Sequence, residues 1–210
     1  MGLKYQNERS EELLSKVNSL INQNIEALIF DCDGTLVDSM PLHMKAWEIA
    51  FNQFNAAYIE DFLNSLKGMK ETEIIEMYNE KFKTHLNPKE IVSKKHQFFM
   101  ENIKSVKPLK SIVKIAKKYF GKLPLAVVSG SVRNIVHGEL EVVGIFHLFN
   151  IILTANDSFK PKPSPDIFLE SAKNLNVVPG NCLVFEDGDP GLEAAASAGM
   201  KYLDVREYIS

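Results

Sequence analysis

The chain has 210 residues, 45% of them hydrophobic and 24% charged, with a formal net charge of −3. That is enough for one large globular domain or a core with a smaller companion. The slightly acidic balance argues against a nucleic-acid binder, which would present a basic face. No apolar run approaches the ~20 residues needed to cross a bilayer. The N-terminus is polar and lacks a signal-peptide core, so the expectation is a cytoplasmic protein without a membrane partner.

In chain order, Ser10 to Asn22 opens on a possible capping box. It then places Leu13, Leu14, Val17, Leu20 and Ile21 on one helical stripe, which packs either on the core or in a partner's groove. Glu26 to Phe30 is a short apolar run that reads as a buried strand. From Pro41 to about Lys107 the pattern is helical throughout, with candidates at 41–53, 59–66, 71–82 and 88–103. Beyond it, strands alternate with helices: helix 109–120, strand 123–128, helix 132–143, strand 151–154, helix 165–175, strand 182–185, helix 190–198 and strand 202–205. Such alternation means a parallel sheet with right-handed crossovers, whose ligands bind beyond the carboxyl ends of the strands. The helical block therefore reads as an insertion lying over that edge as a lid. Residues 1–24 are then an N-terminal helical extension, 25–39 with 108–210 the core domain, and 40–107 the cap domain. Cys32 and Cys182 both fall in strand runs and read as buried free thiols.

The chemistry gathers at the strand ends. Asp31-Cys32-Asp33-Gly34-Thr35 follows the first strand, and in extended chain residues i and i+2 share a face roughly 6.8 Å apart. Two acids crowded there need a cation, or one of them must hold a proton; otherwise the segment is an Asp-rich turn. Ser129-Gly130-Ser131 ends the second strand just before a helix, where a hydroxyl and free N–H groups make an anion site, or Ser131 is a plain N-cap. Glu186-Asp187 ends the fourth strand, and adjacent acids at an apolar strand tip call for a counter-ion. Hard oxygen ligands from there and from Asp31 suit Mg²⁺.

With Thr35-Leu36-Val37-Asp38-Ser39 behind it, the Asp31 segment resembles the first signature of the haloacid dehalogenase (HAD) superfamily of phosphotransferases. Ser129 resembles the second motif, Lys-Pro-x-Pro-Asp-x-Phe from Lys162 the third, and Phe185-Glu186-Asp187 with the following Gly-Leu-Glu-Ala-Ala the fourth. The resemblance implies an α/β, Rossmann-like parallel-sheet core with an inserted helical cap. It implies Asp31 as nucleophile, Asp33 as acid–base, and Lys162 steadying nucleophile and phosphate, with Ser129 and Gly130 holding the phosphate. Asp31, the Asp33 backbone carbonyl, Asp187 and Glu186 (directly or through water) would hold Mg²⁺. It also implies that cap closure raises the pKa of Asp33.

Within the superfamily, Asp38-Ser39-x-Pro41-x-His43-x-x-Ala46-Trp47 resembles the hinge and first cap helix of β-phosphoglucomutase and its phosphatase relatives. His43 is expected to hydrogen-bond near Asp33, and Lys67, in Leu66-Lys67-Gly68, to belong to the lid loop facing substrate. The mutase pattern then carries an Arg where this chain has Glu71, and a Lys where it has Val132. Both departures favour a phosphatase acting on a small phosphorylated metabolite. An isomerase like β-phosphoglucomutase and a non-catalytic interaction protein are the alternatives.

Overall fold

The computed structural model describes residues 2–66 and 69–209, with the backbone alone for 2–7. In order the elements are α1 (Gly2–Ile21), β1 (Ala27–Phe30), β2 (Val37–Asp38), α2 (Met40–Gln53), α3 (Glu60–Ser65), α4 (Glu71–Phe82), α5 (Pro88–Asn102) and β3 (Lys107–Pro108). They continue with α6 (Lys110–Tyr119), β4 (Leu125–Val128), α7 (Arg133–Val142), β5 (Ile151–Leu153), α8 (Asp166–Leu175), β6 (Cys182–Glu186), α9 (Asp189–Ser197) and β7 (Lys201–Asp204). Five strands form one sheet in the order β5-β4-β1-β6-β7, every neighbouring pair parallel. The chain is thus α/β, with an inserted helical cap over a parallel sheet.

Strand alternation divides the core between the two sheet faces. Leu28, Phe30, Leu125, Val127, Leu183 and Phe185 point to one side, where Phe30 stacks on Phe185 at 4.6 Å. Ala27, Ile29, Ala126, Val128, Cys182 and Val184 point to the other, against α8 and α9. With both faces covered, these strands read as unbroken apolar runs. Burial on this scale, at about 25 cal/mol per Å² of apolar surface, makes β1 a poor place for any polar group, so the acids begin where it ends.

α1 starts well before Ser10, so that residue lies within the helix and does not cap it. Its Leu13 and Val17 are fully buried in the core. Lys114 reaches Glu11 at 2.6 Å, and Lys118 and Tyr119 meet Asn18, tying α1 to α6. The cap helices share a separate core of Trp47, Phe51, Phe62, Ile75, Tyr78 and Ile91. A two-residue antiparallel ladder, Val37 opposite Pro108 and Asp38 opposite Lys107, pins together the two points where the chain enters and leaves these helices. No residue pattern announces this ladder, because two-residue strands carry no periodicity. No helix among the described residues is long and apolar enough to cross a membrane.

Candidate active site

β1 stops at Phe30, and the next residues turn sharply, with the amides of Thr35, Leu36 and Val37 all directed at the Cys32 carbonyl. Cys32 therefore lies in a turn and not in the strand, although it is buried as expected. The turn needs Gly34 at φ +82°, where a Cβ would lie 2.3 Å from Asp187 Oδ2. The loops ending β1 and β6 are pressed together at this point, which leaves room for no side chain.

Turning separates Asp31 from Asp33. Asp31 sits with Glu186 and Asp187, their oxygens within 4.8 Å of one another. Lys162 Nζ donates to Asp31 Oδ1 at 2.7 Å and to Glu186 Oε2 at 2.8 Å. Burial works against its charge, but Asp31 and Glu186 more than offset that and hold the ammonium protonated. Burial and then Glu186 push the Asp31 carboxyl well up, with Lys162 opposing. Asp187 is pushed to about 6, by burial first and Glu186 second, while the Thr35 hydroxyl bonded at 3.0 Å pulls the other way. Three acids thus share one ammonium. That surplus of negative charge, carried on hard oxygen donors, fits a divalent cation such as Mg²⁺. Glu186 is committed at both oxygens, Oε1 accepting from the Gly188 amide at 3.1 Å.

Asp33 occupies a different environment, built of donors. Ser39 Oγ donates to Oδ1 at 2.6 Å, Ser131 Oγ to Oδ2 at 2.7 Å and Ser129 Oγ to Oδ2 at 3.3 Å. His43 Nε2 lies 2.8 Å from Oδ1. On the other side of the ring, buried Lys95 donates to Nδ1 at 2.9 Å, so Nδ1 is the bare nitrogen and Nε2–H points at Asp33. Burial and the Lys95 charge lower the His43 pKa and keep the ring neutral, against the pull of Asp33. Burial alone would raise the Asp33 carboxyl, yet these donors depress it far below the usual carboxylate range. In this conformation Asp33 is ionised, so the expected raised pKa is not found; His43, protonated at the low pH where this carboxyl titrates, is the first cause that outweighs desolvation, and the Ser39 and Ser131 hydroxyls add to it.

Three features here had no counterpart in the sequence reading. Lys95, 2% exposed, links His43 to Glu71, and Glu71 also binds His96. Ser39 turns its hydroxyl to Asp33 and leaves the first turn of α2 without a side-chain cap. Glu139 of α7 is fully buried behind Asp33; Oε2 accepts from Cys32 Sγ at 3.6 Å, and Oε1 has no hydrogen-bond partner. Burial first, then the Asp33 charge, push Glu139 to about 10, so it is a neutral carboxylic acid at neutral pH.

The cleft above these groups is a cavity of about 220 Å³, with Asp31, Asp33, Ser129, Lys162 and Asp187 on its floor and His43 and Trp47 above. At Gly130 a Cβ would meet nothing within 4 Å, so that backbone is open to the cleft. The expected Lys67 lies outside the described residues.

The parallel core, the helical insert and the four strand-end loops together define an α/β scaffold with an acidic, cation-suited site beyond the strand ends, as in phosphate-ester hydrolases. A profile of the haloacid dehalogenase-like hydrolases matches residues 28–205, and the chain belongs to that family. It is 35% identical to the fructose-1-phosphate phosphatase YqaB of Escherichia coli strain K12 over 180 residues, 85% of this chain and 95% of that protein. It is 30% identical to the β-phosphoglucomutase of Bacillus subtilis strain 168 over 187 residues, 84% of this chain and 81% of that one. Among solved structures, the β-phosphoglucomutase of Clostridium difficile superposes with a TM-score of 0.73 at 29% identity, covering 85% of this chain and 83% of that one.

Proposed function

We propose that the chain is a Mg²⁺-dependent phosphatase that hydrolyses a small sugar phosphate through an aspartyl-phosphate. The observation that carries this reading is the division of the two neighbouring acids. Asp31 lies beside a buried ammonium and a cation-suited cluster, while Asp33 lies among proton donors. One is equipped for attack and the other for proton transfer. Kinship with phosphoric monoester hydrolases, and with relatives named for sugar phosphates, supports the same class.

In the proposed reaction the phosphate enters over Ser129, the Gly130 backbone and Lys162. A carboxylate oxygen of Asp31 forms a bond to phosphorus as the bond to the leaving oxygen breaks, and Asp33 protonates that oxygen. Water then attacks the aspartyl-phosphate, Asp33 takes its proton, and Asp31 is regenerated as phosphate leaves. Asp31, the Asp33 backbone carbonyl and Asp187 would hold Mg²⁺, with Glu186 joining them directly or through water. When bound, the ion neutralises phosphate charge and aligns it for in-line displacement.

The test is Mg²⁺-dependent release of phosphate from an aryl phosphate by purified protein, abolished in Asp31→Asn. Absence of turnover in the parent would instead support a non-catalytic interaction protein. Incubation with β-glucose 1-phosphate separates the isomerase reading: free phosphate supports the phosphatase, glucose 6-phosphate the mutase.

A further inference from the structure

β5 is an edge strand of the sheet and β1 lies two places further in, about 10 Å away at the usual strand spacing. The Lys162 that binds Asp31, just past β1, is nevertheless carried by the loop after β5, residues 154–165. Lys162 therefore crosses the end of β4, where its Nζ also donates to the Val128 carbonyl at 3.4 Å. A surface loop of twelve residues has many conformations open to it. Holding one long side chain in register across two strands requires the loop to be tied down.

The tie is at the loop's first turn. Asp157 Oδ2 accepts from the amide and the hydroxyl of buried Thr154, both at 2.9 Å, and the Asp157 amide returns a bond to the Thr154 carbonyl at 3.0 Å. The other oxygen, Oδ1, accepts from the guanidinium of Arg133, the first residue of α7. Burial would raise this carboxyl, but the Thr154 amide, then Arg133 and the Thr154 hydroxyl, outweigh it and keep Asp157 ionised. α7 needs outside help at this end, because its N-cap is Val132, whose side chain accepts no hydrogen bond. Asn156 Oδ1 supplies the cap from the neighbouring loop, accepting from the Arg133 amide at 2.8 Å. The Ala155 amide adds a bond to the Ser131 carbonyl at 3.0 Å. The turn 154–157 thus grips residues 131–133, directly beside the serines that face Asp33. Asp157 is the residue that both closes the turn and holds α7, and it does not itself line the cleft.

Resting on the phosphatase reading, we propose that Asp157 is a positioning residue for the phosphate. Through Arg133 and the turn it closes, it sets the register between the Ser129–Gly130 anion site and the Lys162 ammonium, which come from two different loops.

The test is calorimetric titration of the intact protein with inorganic phosphate in the presence of Mg²⁺, and separately with Mg²⁺ alone. Asp157→Ala should weaken phosphate binding about tenfold, the scale of one lost charge-assisted clamp. Electrostatics alone predicts the reverse, since removing a negative charge near an anion site tightens it. Mg²⁺ alone should bind no more weakly than to the parent, because its carboxylates stand on the loops after β1 and β6 and the loosened group, Lys162, is a like charge. Asp157→Asn keeps an acceptor for Thr154 but loses the ion pair; it should weaken phosphate binding by less, and it carries the test if Asp157→Ala does not fold. Parental or tighter phosphate binding in the folded variants, or equal weakening of phosphate and Mg²⁺ binding, overturns the positioning role and leaves the phosphatase reading intact. If the parent binds no phosphate with Mg²⁺ present and hydrolyses no aryl phosphate, the phosphatase reading fails and this role goes with it.

Discussion

Glu139 offers a measurable consequence of burying an acid beside an ionised one. Its carboxyl is fully inaccessible, faces Asp33, His43, Cys32 and Ser39, and is pushed to about 10 from an ordinary 4.5 by burial first and the Asp33 charge second. The folded protein thus keeps a proton on Glu139 over a range of pH in which the unfolded chain has lost it. For a carboxyl raised on folding, the stability contribution is complete below the unfolded value and is lost as pH climbs toward the folded one. Each pH unit inside that window costs about 1.36 kcal/mol. Glu139→Gln is neutral in both states and escapes the penalty. Its stability relative to the parent should therefore grow by about 2.7 kcal/mol between roughly pH 5.5 and 7.5, or about 1 M in the urea midpoint. The assay is equilibrium urea unfolding of both proteins at several pH values. Parallel pH dependences would refute the reasoning, for they would mean that Glu139 ionises alike in folded and unfolded chains.

Two further perturbations probe the site's floor and the N-terminal helix. Gly34→Ala places a Cβ 2.3 Å from Asp187 Oδ2 at a φ of +82°, so Asp187 must move. Activity should fall at limiting Mg²⁺ and recover in part at high Mg²⁺, as read from titrations of initial rate against metal. Leu13→Ala empties a fully buried position between α1 and the core and should cost roughly 2–4 kcal/mol in urea unfolding, without altering the KM for an aryl phosphate.

Most of the sheet and the four strand-end clusters were legible in the sequence because each is written in a few consecutive residues: an apolar strand, then acids, serines or a Lys-Pro loop. The groups that went unread are those whose meaning lies in a distant partner. Lys95 stands in Lys94-Lys95-His96, which reads as a solvated helix face, yet it meets His43 from 52 positions away. The signal was present in the helical period, for Ile91, Lys95 and Phe99 lie four apart and all are buried. Glu139 similarly sits four residues after Ile135 and three after Val136, on the stripe that packs inward. A charged residue in the middle of an apolar stripe marks either an error of register or a buried partner, and here both stripes lead to Asp33. The direction of the Asp33 shift was missed for a related reason. Desolvation can be read from position in the chain, and the His43 contact was expected, whereas Ser39 and Ser131 become donors only once the hinge and the loop after β4 meet Asp33.

Those donors also bear on how the proposed reaction can begin. The bonds to Asp33 Oδ1 come from Ser39, just past the β2–β3 ladder, and from His43 in the first cap helix; those to Oδ2 come from the core loop after β4. An ionised carboxylate with four donors accepts a proton only if some of them withdraw, since each favours the charged form. The core serines are fixed to the sheet, but Ser39 and His43 lie on the cap side of the hinge. Were the cap displaced, loss of the two Oδ1 bonds would raise the carboxyl's pKa from its depressed position here, so in the proposed reaction cap position and the protonation of Asp33 are linked. In the proposed reaction, re-forming them would return Asp33 to the ionised form that can act as base toward water. Dehydration by the cap is then only half of its effect on this acid, since the same segment supplies the hydrogen bonds that oppose it.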